Sequence, residues 1–203
     1  MRSTYVKNLV VAVILLLWTW PVVAGLEFYD GGIHDIDYAV SDYVVVYNGT
    51  TVNVLDGASI PELDGWGAST INVYGGWMDF LMVDEGSLAN IYGGGTWGAA
   101  VFSMNESISE INIFGCSGLG WLYADLNGIM TINGSGFAVD GTSVGYVELT
   151  GSGQLAGILN NGDAINAFFE IYSNGRIVLV PEPATLLLLG LGGLTLMRRR
   201  CKK

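Results

Sequence analysis

A chain of 203 residues has room for one domain and its targeting segments. Only 13% of it is charged while 51% is apolar, a low charge content against the usual quarter or so of a cytosolic protein. Between Gly25 and Val180 stand 18 acidic residues and one basic residue, Arg176, a net −17 that repels phosphate backbones and excludes nucleic acid as a partner.

The N-terminal stretch MRSTYVKNLVVAVILLLWTWPVVAGLEF carries Arg2 and Lys7 ahead of an apolar run from Leu9 to Trp20. Val22-Val23-Ala24 then places small residues before a cleavage point, so residues 1–24 read as a signal peptide cut after Ala24. The mature chain then begins at Gly25, outside the cytoplasm.

Residues 25–179 form an acidic, glycine-rich body. Thirty glycines in the chain, set among Val, Ile, Tyr and Trp, favour short strands joined by tight turns over disorder. The body is self-similar: 44–58, 80–94, 100–116, 121–136, 137–153 and 168–180 each read as an apolar run, a polar turn and a second, alternating run. Asparagines recur in the second run at 53, 72, 90, 112 and 133. Thr51-Val52-Asn53-Val54 and Glu110-Ile111-Asn112-Ile113 alternate with period 2, which turns the aliphatic residues to one face and the asparagines to the other. Asn48-Gly49, Asn127-Gly128, Asp140-Gly141 and Asn174-Gly175 are dipeptides that tolerate left-handed backbone. A unit of about 20 residues cannot bury its own apolar face, so neighbours must stack. The expected fold is all-β: a β-solenoid-like pile of two-strand repeats, about six or seven rungs, in which one asparagine per rung builds a ladder. It is flanked by an N-terminal signal helix and a C-terminal membrane helix. An antiparallel β-sandwich or meander is the alternative.

Catalytic groups are scarce. The body holds one histidine, His34, and one cysteine, Cys116, so a nucleophilic triad would have to run through His34, which no motif flanks. A glycoside hydrolase needs only two close carboxylates and is the less favoured enzymatic alternative. No enzyme activity is expected. Calcium is the one cofactor to weigh, through Asp30, Asp35 and Asp37, the Asp84-Glu85 turn, or Glu106 with Glu110. Their spacing matches neither an EF-hand nor the glycine-rich calcium repeat, so no metal site is assigned. Trp77, Trp97 and Trp121 recur at about the repeat length and are the candidate sugar-stacking residues if their rungs register. They define an alternative role as a carbohydrate-binding module, with packing as their bland reading.

The last 24 residues, VPEPATLLLLGLGGLTLMRRRCKK, change character. Ala184 to Met197 is uncharged and, as a helix, about 21 Å long, short of a hydrocarbon core of about 30 Å. Arg198, Arg199, Arg200, Lys202 and Lys203 form a cytoplasmic stop signal, and their long stems extend the span. Cys201 lies beyond that run, so a membrane passage there separates it from Cys116 and no disulfide is expected.

Pro181-Glu182-Pro183, an apolar glycine-containing run and a terminal arginine cluster, in that order, resemble the PEP-CTERM sorting domain of bacterial envelope proteins. Pro181, Glu182 and Pro183 match its recognition tripeptide, and the likeness covers residues 180–203 only. The resemblance implies sorting by an exosortase after passage through the secretion machinery. It implies an inner-membrane-anchored precursor, delivery to the cell surface or extracellular matrix of a Gram-negative bacterium, and production alongside exopolysaccharide, a candidate partner. In that reaction this chain is the substrate.

Overall fold

The computed structural model describes residues 25–104 and 107–181, which fold as a β-solenoid of about six turns with repeats about 19 residues apart. Numbered in chain order, the strands fall on two faces of the coil. The first face stacks β2 (Ile33–Ile36), β4 (Thr51–Val54), β6 (Thr70–Val73), β8 (Leu88–Ile91), β10 (Glu110–Ile113), the start of β12 (Ile129–Val139) and β17 (Arg176–Pro181), each parallel to the next. The second stacks β1 (Leu26–Phe28), β3 (Tyr43–Val46), β5 (Ser59–Gly65), β7 (Trp77–Val83), β9 (Gly95–Val101), β11 (Trp121–Ala124) and β16 (Ala164–Ile171), again all parallel. From β1 to β12, and again from β16 to β17, the chain alternates between the faces.

Period-2 alternation fixes what is inside. On the first face Val52, Ile71, Ala89, Ile111, Met130 and Ile177 form one inward column, and Val54, Val73, Ile91, Ile113, Ile132 and Leu179 form the next, all at most 1% exposed. Burying such a side chain contributes about 1.5–3 kcal/mol. A slip of one residue would turn every one of them to solvent, so the pattern pins the register. The long strands β5, β7 and β9 turn a corner: pairing skips Pro61, Asp79 and Trp97, and the buried–exposed alternation breaks there.

The corners between second-face and first-face strands are tight turns closed by Thr50 N–H to Tyr47 O, Ser87 N–H to Asp84 O and Gly128 N–H to Asp125 O. Asn48 and Gly49 take the left-handed backbone that their sequence foretells, with φ of 54° and 73°. In the Asp125–Gly128 turn the left-handed pair is Leu126 and Asn127, one residue earlier than the Asn127-Gly128 expectation. Gly128 instead fills the closing corner, where a Cβ would lie 2.7 Å from the Val101 carbonyl oxygen. In the Asn174-Gly175 turn it is Ser173 that has positive φ, and a Cβ on Gly175 would lie 2.3 Å from the Ala124 carbonyl.

The stretch 137–153, read above as a repeat unit, is not a coil. β12 runs on past the first face and pairs antiparallel with β13 (Thr142–Ser143) and with β15 (Ser152–Leu159). β15 in turn lies antiparallel on β16, and β14 (Glu148–Leu149) lies antiparallel on β17. Antiparallel pairing, the alternative for the whole body, is thus confined to this insertion. It covers the C-terminal edge of both faces. The expected signal and membrane helices fall outside the described residues. The last strand carries the body two residues past the expected boundary at 179/180, with Val180 and Pro181 paired to Asn133 and Gly134.

A candidate interaction surface

The first face carries its outward asparagines as a continuous ladder. Asn112 Nδ2 donates to Asn90 Oδ1 at 3.2 Å, Asn90 to Asn72 at 3.1 Å, Asn72 to Asn53 at 3.1 Å, and Asn53 to the Asp35 carboxylate at 2.8 Å. All four amides point the same way, so Asp35 receives the donor end of an aligned row of dipoles. Asn133 is not part of it. Thr131 occupies the ladder position in that coil, and Asn133, two residues on, donates to the Ile113 carbonyl at 3.2 Å.

Two further columns share the asparagine spacing and escaped sequence reading. Tyr74, Tyr92 and Phe114 stack with centroids 5.3 and 5.2 Å apart and planes within 9°. Each ring covers one face of its neighbour, while Tyr74 and Tyr92 stay 53% and 43% exposed. Thr50, Ser69, Ser87 and Ser109 line the inside of the corner, all at most 1% exposed, with Ser69 bonded to Ser87 at 3.2 Å. The signal was present as a Ser/Thr three residues ahead of each of Asn53, Asn72, Asn90 and Asn112.

The three candidate tryptophans fall in three different columns, so they do not form one stack. Trp121 lies between Gly98 and Phe168 on the second face, stacks on Phe80 at 5.8 Å, and donates its Nε1–H to Glu170 at 3.2 Å. With Tyr123, Phe102 and Tyr172 it belongs to an aromatic cluster that packs on itself. Trp77 is paired with Ser59 and Gly95, while Trp97 sits at the corner that pairing skips. These two are neighbours: one coil apart and two residues offset, their Cα atoms lie about 8 Å from one another by strand geometry. Both indoles lean on glycines of later coils. A Cβ on Gly95 would lie 2.4 Å from the Trp77 ring, one on Gly118 2.9 Å from it, and one on Gly120 3.3 Å from Trp97 Nε1. Trp77 is 42% exposed and Trp97 59%. Asp79, at the corner position opposite Trp97, accepts the Trp77 Nε1–H at 2.8 Å.

Other sequence candidates have local partners. His34 Nε2 meets Asp30 Oδ1 at 2.9 Å, and its ring stacks on Phe28 at 4.4 Å. Asp84, 1% exposed, accepts the Met104 and Glu85 N–H groups and pins the loop that follows β9. Among the described residues no three His, Cys, Asp or Glu side chains are placed to share a metal ion. Glu106 lies outside the described residues. Cys116 is fully buried, and burial pushes its thiol up to about 11, which leaves it protonated and inert at neutral pH. Asp64, half-buried between Val45 and Met82, has an oxygen with no hydrogen-bond partner; burial, and secondarily Glu62 nearby, push its carboxyl up to about 7. Two shallow hollows flank Arg176, whose guanidinium is held by Glu148 at 2.7 Å.

Of the sorting tripeptide only Pro181 is described, at the end of β17. Glu182, Pro183, the cluster Arg198 to Lys203 and the Ala24 cleavage point lie outside the described residues. The body is therefore a repeat solenoid whose last strand runs straight into its terminal segment. A family model, the PEP-CTERM protein-sorting motif, matches residues 179–200. The chain carries that motif, and with it the mark of an exported protein processed by exosortase. No curated protein and no solved structure matches the chain.

Proposed function

We propose that this chain is a non-enzymatic building or interaction element of the cell surface or extracellular matrix of a Gram-negative bacterium. It is made with a signal peptide cut after Ala24, held briefly in the inner membrane by its tail, and released by exosortase. The observation that carries the reading is the PEP-CTERM motif at 179–200, which begins inside the last strand of the solenoid. Leu179 is a core residue, so the folded body and the sorting signal share a boundary with no linker between them. The chemistry of the body supports a passive role: its one histidine is bonded to Asp30 and stacked on Phe28, and its one cysteine is buried.

The test replaces Pro181, Glu182 and Pro183 together by alanine in the producing host. The variant is expected to accumulate with the inner membrane while the parent chain reaches the surface or medium. Identical fractionation of the two would overturn the proposal.

A further inference from the structure

We propose that Trp77, Trp97 and Asp79 form a binding ledge for an uncharged hexose polymer. This goes beyond the sorting reading and stands independently of it. Tyr74, Tyr92 and Phe114 stack face to face, and Trp121 is packed in a cluster, so each of those rings has another ring against a face. Trp77 and Trp97 are different. Neither stacks on another ring: Trp77 rests on Gly95 and Gly118, close enough that a Cβ on either would collide with the indole, and the Nε1 edge of Trp97 meets Gly120. The glycines let the Trp77 indole lie close against the backbone, and exposures of 42% for Trp77 and 59% for Trp97 leave ring surface open on both. Two exposed indoles on neighbouring coils, their Cα atoms about 8 Å apart by strand geometry, match a ligand that repeats flat, C–H-rich faces. Sugar rings of a linear polymer have that form.

Asp79 adds the polar half of recognition. One of its oxygens accepts the Trp77 Nε1–H at 2.8 Å and so holds the indole in place. Asp79 stands opposite Trp97 at the corner, and its other oxygen is the acceptor assigned to a sugar hydroxyl. Charge selects the class of polymer. The body carries 18 acidic residues against Arg176 alone, and Arg176 is engaged by Glu148 on a different part of the coil. An anionic polysaccharide would meet repulsion with no cation to offset it, so the ligand is neutral.

The test is native affinity electrophoresis of the full-length chain in mild detergent, through gels containing soluble β-glucan, galactomannan or alginate. At least one neutral polymer is expected to retard the protein and to change its tryptophan fluorescence, while alginate does neither. Trp97→Ala, at the more exposed ring, is expected to weaken retardation about tenfold with an unchanged melting temperature, and Asp79→Asn to weaken it less. Should Trp77→Ala lower the melting temperature, Trp97→Ala decides the matter. Failure of both neutral polymers to bind, stronger retardation by alginate, or full retention by the Trp97→Ala protein would overturn the assignment.

Discussion

Asn72 stands where two ladder bonds meet, donating to Asn53 and accepting from Asn90. Its replacement by alanine interrupts an aligned row, and because the site is half-exposed, water recovers part of the loss. Asn72→Ala is therefore expected to cost about 0.5–1.5 kcal/mol, a fall in melting temperature of about 1–6 °C. Asp64 makes the opposite contribution. Its folded carboxyl titrates at about 7 against an ordinary 3.8, so the folded chain holds the proton more tightly than the unfolded one. No penalty exists below the unfolded value; it grows as pH rises from about 4 and is complete above about 7. Solvent at this partly open site screens it to about 1 kcal/mol. Asp64→Asn is thus expected to melt about 2–4 °C higher than the parent at pH 8 and to match it at pH 3.5, measured by thermal unfolding at both. A parent that gains stability from pH 4 to pH 8 relative to the variant would contradict this. At this scale the ladder was legible, because Asn in an alternating Val/Ile run has one place to point. Asn133 misled because its spacing of 21 from Asn112 hides an offset of two positions, which only the pairing of Asn112 with Thr131 reveals. Nothing local marks Asp64: its burial comes from Val45 and Met82, each a coil away.

At the scale of one coil, the corners decide whether strands can stack. Gly94 has φ of 76°, and a Cβ there would lie 2.6 Å from Gly75 O and 2.8 Å from Gly76 O. Gly141, also at 76°, has nothing within 4 Å. The pair separates collision from backbone strain. Gly141→Ala is expected to cost about 1–2 kcal/mol by strain alone. Gly94→Ala is expected to exceed it by at least about 1 kcal/mol in denaturant titrations, because backbone cannot move aside as a side chain can. Equal costs would mean that the coils have slack at that corner. The two-strand repeat was readable because its turn residues and its alternation agree. The insertion after β12 was not, for a physical reason: Asp140-Gly141 is as good for a hairpin tip as Asn48-Gly49 is for a coil corner. Which of the two forms depends on what the next strand pairs with, and that partner, β15, arrives more than ten residues later. The glycine floor under Trp77 and Trp97 is hidden in the same way, since Gly95, Gly118 and Gly120 belong to other coils than the rings they carry.

Over the whole molecule, the two ends of the solenoid are finished differently. β14 and β15 cover the C-terminal edges of both faces with antiparallel strands, whereas among the described residues β1 and β2 leave short edges at the other end that include Glu27, His34 and Asp35. Short and charged edges resist pairing with another sheet. The covered end is the one that meets the sorting segment. Sequence patterning reached the solenoid and the sorting motif because both are written locally, in repeats and in an ordered terminal triple. The ledge at Trp77 and Trp97 lay only half within reach: the residues were visible, but the register that separates them from Trp121 was not. The most direct measurement of the account is the intact mass, with terminal sequencing, of the protein recovered from the surface or medium of an exosortase-competent host. The account predicts a chain that begins at Gly25 and has lost Arg198 to Lys203; recovery of a surface chain that still carries Arg198 to Lys203 would contradict it.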